Sequence, residues 1–223
     1  MKEFSSSTHI KICGIRDKTH ALAAVEAGAD FIGLVFAPSK RQVSPAKACE
    51  IASDVKKSSD TTKVVGVFVN APSFQVNELA DFCALDWVQL SGDESWEYCS
   101  EVVRPVIKTI RIDRQSPQEL YAELSAGDKL LPHQSFIALL DSRVEGKYGG
   151  TGENFDWDLA QEVAKRFPVI IAGGLDPRNV ARLIERVSPW GVDVSSGVET
   201  GGVKDIAKIR AFIEAVRKAD EKR

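Results

Sequence analysis

Ile10-Lys-Ile-Cys-Gly-Ile-Arg-Asp17 is a short apolar run that stops at a glycine and two charged residues. A doubly wound open sheet that binds a dinucleotide would carry a GxGxxG turn after its first strand; here Cys13-Gly14-Ile15-Arg16-Asp17 stands in that place. Similar runs recur at Phe31 to Phe36, Val64 to Val69, Trp87 to Leu90, Val106 to Ile110, Phe136 to Leu140, Val169 to Ala172 and Gly191 to Val194. Longer segments of helical period separate them, the pattern of parallel strands joined by crossover helices. The runs are mostly continuous rather than alternating, as strands covered on both faces require. The reading is an α/β fold, a (β/α)₈ TIM barrel with its active site at the C-terminal face of the strands. Ser44-Pro45 before Ala46 to Val55, and Asp176-Pro177 before the seventh helix, read as N-caps followed by proline at the first helical position. No consensus recurs from unit to unit, so the repetition is architectural rather than that of a solenoid.

A chain of 223 residues suits such a barrel without a domain boundary, and we expect one domain over 1–223. The barrel itself should run from about 9 to 217, with short extensions at both ends. Hydrophobic residues at 43% fill a core, and a net charge of -3 argues against a nucleic-acid surface, leaving a small-molecule partner. No apolar run nears the roughly 20 residues that span a bilayer, and the start lacks a signal peptide's apolar middle, so a cytoplasmic protein without membrane contact is expected. Cys13, Cys49, Cys83 and Cys99 are scattered, form no CxxC pair and read as free thiols. His9, His20 and His133 show no metal-ligand spacing, so no metal is expected.

In a barrel the chemistry gathers where strands end. That filter selects Cys13, the Ser39-Lys40-Arg41 loop, Asn70, Gln89, Asp141, the segment Gly146 to Gly152, Gly173-Gly174, and Asp193 through Gly197. Loops after strands seven and eight commonly hold a phosphate on backbone N–H groups and a short helix N-terminus. Gly173, Gly174, Ser195, Ser196 and Gly197 occupy those loops, with the two serines able to add hydroxyl donors and cap the helix. Either glycine pair alone could be a plain turn; the two together, in these positions, read as a phosphate site. Cys13 and Asp141 end the first and sixth strands and could serve as general base and general acid on one substrate. Read singly, Cys13 could be a small buried thiol, Asp141 a loop cap or ion-pair partner, and Arg41 either a solvated charge or a clamp for a carboxylate.

At these residues the chain resembles the phosphoribosylanthranilate isomerases of tryptophan biosynthesis, from Lys11 to about Ala215. The motifs are Lys11-Ile-Cys-Gly-Ile15, Gly33-Leu-Val-Phe36 followed by Ser39-Lys40-Arg41, Val64-Val-Gly-Val-Phe-Val-Asn70 and Leu139-Leu-Asp-Ser142. After them come Gly149-Gly-Thr-Gly152, Phe155-Asp-Trp157, Ala172-Gly-Gly-Leu-Asp-Pro-Arg-Asn179 and Val192-Asp-Val-Ser-Ser-Gly-Val-Glu199. The resemblance implies an Amadori rearrangement of N-(5'-phosphoribosyl)anthranilate to 1-(2-carboxyphenylamino)-1-deoxyribulose 5-phosphate, with no metal and no cofactor. It implies that Asp141 protonates the furanose ring oxygen and that Cys13 removes the proton from the second ribose carbon. Arg41 would hold the anthranilate carboxylate, Gln89 and Asp193 would contact the substrate, and Gly173, Gly174, Ser195, Ser196 and Gly197 would hold its phosphate. Gly149 to Gly152 would close over the site.

One departure stands out: the family usually reads Gln-Leu-His-Gly after strand four, and this chain reads Gln89-Leu90-Ser91-Gly92. Ser91 is expected to alter hydrogen bonding near the mouth without changing the reaction class. Other phosphosugar barrels share the phosphate loops. Indole-glycerol-phosphate synthase should offer a lysine and a glutamate, a ribulose-phosphate epimerase a metal with histidines, and the histidine-pathway isomerase two aspartates. Cys13 with Asp141 fits none of these sets. A non-catalytic barrel that only binds a phosphorylated metabolite is opposed by the presence of Cys13, Arg41 and Asp141 together. Monomer and homodimer both remain open.

Overall fold

The computed structural model describes residues 7–112, 116–131, 136–141 and 157–223. Its eight parallel strands are β1 (His9–Cys13), β2 (Phe31–Val35), β3 (Lys63–Phe68), β4 (Trp87–Leu90), β5 (Val106–Arg111), β6 (Phe136–Asp141), β7 (Val169–Ala172) and β8 (Gly191–Val194). They pair in chain order, and β8 returns to β1 in the register His9↔Gly191 to Ile12↔Val194, so the sheet closes. Each strand lies within a residue or two of its expected run: Phe36 and Val69 fall outside, while Arg111 and Asp141 fall inside.

The helices follow the strands as α1 (Lys18–Ala27), α2 (Pro45–Ser58), α3 (Ser73–Phe82), α4 (Trp96–Glu101), α5 (Pro117–Leu130), α6 (Trp157–Ala164), α7 (Val180–Val187) and α8 (Ile206–Asp220). Their starts show local causes. Ser44 accepts from the Lys47 N–H ahead of Pro45, and Ser116 and Glu119 form a reciprocal capping box. The expectation at α7 needs correction. Asp176 accepts from the N–H of Arg178 and bonds its guanidinium, so the chain makes a turn first and the helix starts only at Val180.

Alternation along the strands sorts side chains into two layers. Ile12, Ile32, Leu34, Val64, Val88, Leu140, Ile171 and Val192 point outward and are buried beneath the helices, each fully buried aliphatic side chain contributing about 1.5–3 kcal/mol relative to exposure. Phe31, Val65, Ile107, Ile137, Leu139, Ile170 and Ala172 form a second cluster inside the barrel. The floor of that interior is aromatic, with His9 and Trp190 rings 4.0 Å apart and Phe31 edge-on to Trp87. The same inward parity continues upward to Lys11, Cys13, Gly33, Gln89, Thr109, Asp141 and Asp193, which places polar groups above the apolar plug. Thr8 and α8 secure closure from outside: Asp220 accepts from the Thr8 N–H and hydroxyl, and Arg217 donates to the Thr8 carbonyl.

Candidate active site

Lys11 is a buried charge on the inner face of β1, 1% exposed. Its Nζ donates to Asp193 Oδ1 at 2.7 Å, across the β1–β8 pairing that sets Lys11 opposite Asp193. Two residues on, Cys13 ends β1 on the same face. A methyl group on Gly33, the partner of Cys13 in β2, would stand 3.0 Å from Cys13 Sγ and 3.1 Å from Lys11 Nζ. Glycine at position 33 therefore leaves the space in which thiol and ammonium meet.

Burial alone would drive the proton off Lys11, but the charge and hydrogen bond of Asp193, with Cys13 beside it, hold the ammonium above its ordinary 10.5. Burial pushes the Cys13 thiol up, the Lys11 ammonium pulls it down, Asp193 pushes it up again, and Lys204 adds a further pull downward; the balance lies above the ordinary thiol value. Lys11 is the site residue that sequence reasoning passed over. It stood inside a quoted motif, and a lysine between Ile10 and Ile12 on the same strand face as Cys13 was the available signal.

Asp141 ends β6 half-buried, paired in register with Arg111 of β5 and Ala172 of β7, and shares the inward parity of Ile137 and Leu139. Between β6 and β1 around the ring stand only β7 and β8, whose loops carry the glycines and serines. Gly173 and Gly174 have φ of 92° and 65°, conformations that favour glycine. Gly197 is a close-approach position: a methyl group there would lie 1.8 Å from the Leu175 carbonyl oxygen, so its glycine lets the two loops touch. Among the described residues, the N–H groups of Gly173, Gly174, Ser196 and Gly197 hydrogen-bond to no protein group. Backbone N–H groups left open in this way are donors that an anion can use. The helix after β8 is a single 3₁₀ turn, Ser196–Val198, and contrary to expectation neither serine caps it; Ser195 instead offers its carbonyl to Lys204 Nζ at 2.7 Å.

Arg41 lies across Gly14 and reaches Glu199 rather than open solvent, with Nε–Oε1 at 2.6 Å and Nη2–Oε2 at 2.9 Å. Two of its three nitrogens are thus engaged, so a substrate carboxylate would meet Nη1 or displace Glu199. Glu199 also accepts from Lys204 at 2.9 Å. Burial would raise its carboxyl, yet the Arg41 and Lys204 hydrogen bonds hold it at about 2. Lys204 belongs to a small hairpin, Glu199–Thr200 with Val203–Lys204, turned by Gly201 and Gly202 at positive φ. The Gly-Gly dipeptide was the signal for that hairpin.

Gln89 is buried on β4; its Nε2 donates to Ser91 Oγ at 3.0 Å, and its Oε1 is buried with no hydrogen-bond partner among the described residues. Ser91 Oγ also meets Thr109 Oγ1 at 3.0 Å, so Ser91 is part of a hydroxyl and amide chain joining β4 to β5. Asn70, by contrast, turns away from the interior to bond Asp93. The segment Gly146 to Gly152, of which Gly149 to Gly152 are expected to close over the site, lies outside the described residues.

Residues 10–215 match the family model described as N-(5'-phosphoribosyl)anthranilate (PRA) isomerase. The chain belongs to this family. The N-(5'-phosphoribosyl)anthranilate isomerase of Dehalococcoides mccartyi is 47% identical over 214 residues, covering 96% of this chain and 97% of the relative. A crystal structure of phosphoribosyl anthranilate isomerase from Thermotoga maritima superposes with a TM-score of 0.82 at 36% identity, over 95% of this chain and 99% of its own. A structure of phosphoribosyl anthranilate isomerase with reduced 1-(o-carboxyphenylamino)-1-deoxyribulose 5-phosphate matches with a TM-score of 0.79 at 35% identity and the same coverage. The eight-stranded closed barrel is thus the fold of the family. Among the described residues no helix is long and apolar enough to cross a membrane.

Proposed function

We propose that this isomerase converts N-(5'-phosphoribosyl)anthranilate, in tryptophan biosynthesis, by a base on β1 and an acid on β6 working across one mouth. The observation that carries this reading is the shared inward parity of Cys13 and Asp141 at their strand ends, on either side of the Gly173–Gly174 and Ser195–Gly197 loops. Protonated Asp141 gives its proton to the ribose ring oxygen while the anilino nitrogen lone pair expels it, opening the ring to an iminium. The Cys13 thiolate then takes the proton from the second ribose carbon, and those electrons neutralise the iminium to give an enolamine. Tautomerisation yields the ketose. The open N–H groups of Gly173, Gly174, Ser196 and Gly197, with the Ser195 hydroxyl, hold the 5'-phosphate, and Gln89 Oε1 and Asp193 face the ribose and amine.

Cys13 must lose a proton that burial makes it keep, and among the described residues Lys11 is the positive charge that acts on it most strongly. Lys11 is therefore a positioning residue that holds both the thiolate and Asp193. Calorimetry with the reduced product analogue separates binding from chemistry: Cys13→Ala and Asp141→Asn should bind it within a few-fold of wild type. Loss of binding in both would place these residues in the binding surface and refute the division of labour. Lys11→Met should lower kcat and displace the rising limb of the pH–rate profile to higher pH, because the pull on the thiol is gone. An unmoved limb would remove Lys11 from this role.

A further inference from the structure

Four cysteines are present as free thiols, and two of them, far apart in sequence, touch. Cys49 on the second turn of α2 and Cys83 at the C-cap of α3 bring their Sγ atoms to 2.7 Å, about 0.7 Å beyond a covalent S–S bond. Each thiol is also directed by a backbone carbonyl of the other's neighbourhood, Cys49 Sγ to Phe82 at 3.4 Å and Cys83 Sγ to Pro45 at 3.4 Å. Cys49 is half-buried and open to a small reagent, while Cys83 is 2% exposed behind it. Neither belongs to the mouth, where Cys13 stands beside Lys11, and Cys99 is a fully buried residue of α4.

We propose that Cys49 and Cys83 are a redox modification site, a dithiol that a hydroperoxide closes to a disulfide stapling α2 to the end of α3. The Cys49 thiolate attacks the outer peroxide oxygen; the O–O bond breaks, the alkoxide takes up the thiol's proton and leaves as an alcohol (water, for hydrogen peroxide), and Cys49 becomes a sulfenic acid. The Cys83 sulfur then attacks the Cys49 sulfur, the S–O bond breaks, and the departing hydroxide takes the Cys83 proton as water. Two thiols are oxidised and one peroxide is reduced. The exposed thiol reacts first and the buried one resolves, an order that accords with burial pushing Cys83 up to about 12. The bridge would close a loop spanning β3 and α3, with ends 34 positions apart, and so restrict the unfolded chain.

The test uses the reduced full chain, treated with hydrogen peroxide, alkylated, and digested with trypsin and a glutamate-specific protease, which separates Cys83 from Cys99. Mass spectrometry should find a Cys49–Cys83 cross-linked peptide that dithiothreitol removes. The melting temperature should rise by several degrees on oxidation, and neither the cross-link nor the rise should occur in Cys49→Ser or Cys83→Ala. Cys49 over-oxidised to sulfinic acid with Cys83 still alkylated, or a cross-link through Cys13 or Cys99 instead, would overturn the proposal.

Discussion

Replacing Glu199 by glutamine tests the charge network behind the mouth while keeping its shape. Glu199 is 6% exposed at its side chain and lies between Arg41 at 14% and Lys204 at 4%. Its carboxyl, held at about 2 against an ordinary 4.5, stabilises the fold by about 3 kcal/mol at neutral pH, since each unit of displacement is about 1.4 kcal/mol. The same size follows from breaking a buried ion pair, about 3–5 kcal/mol, because Lys204 would be left without its anion. The folded-state value lies below the unfolded one, so this stability is complete above pH 4.5 and disappears as pH falls toward 2. Urea unfolding followed by tryptophan fluorescence should therefore show Glu199→Gln about 3 kcal/mol less stable at pH 7. The gap should narrow by about 1 kcal/mol by pH 4. A gap under about 1 kcal/mol at pH 7, or one that does not change between pH 7 and 4, would refute the reasoning.

Gly197→Ala places a methyl group 1.8 Å from the Leu175 carbonyl, and backbone must move to relieve it. Its expected effect is a KM raised by at least tenfold from loss of the proposed phosphate cradle, measured by steady-state kinetics; an unchanged KM would detach Gly197 from that site. Gly33→Ala is milder, crowding Cys13 Sγ and Lys11 Nζ by a few tenths of an ångström. It should lower kcat while thermal unfolding moves by only a few degrees, and a variant with full kcat would show that the thiol and ammonium need no such space.

The barrel was legible because each strand is covered on both faces, so runs such as Val64 to Val69 and Val169 to Ala172 stand out as continuous apolar stretches between helical periods. Local chemistry was less reliable where a competing contact decides the backbone. Asp176-Pro177 has the form of a helix start, yet the bond from Arg178 to Asp176 holds a turn and delays α7 to Val180. Ser195 and Ser196 have the form of caps, yet the approach of Gly197 to Leu175 and the pull of Lys204 on the Ser195 carbonyl set that loop. The candidate residues at strand ends could be selected from position alone, but not their partners. Arg41 taken singly reads as a solvated charge or a carboxylate clamp, and Glu199, which takes up its fork, lies 158 positions away. Lys11 was read as one letter of a motif because its pairing with Asp193 exists only once β8 returns to β1.

The most direct test of a base on β1 and an acid on β6 is turnover of freshly generated N-(5'-phosphoribosyl)anthranilate, followed by loss of its fluorescence, for wild type beside Cys13→Ala and Asp141→Asn. The account predicts turnover by wild type and a fall in kcat of about 10²–10⁴-fold in each folded variant. Turnover by either variant within a few-fold of wild type would contradict it.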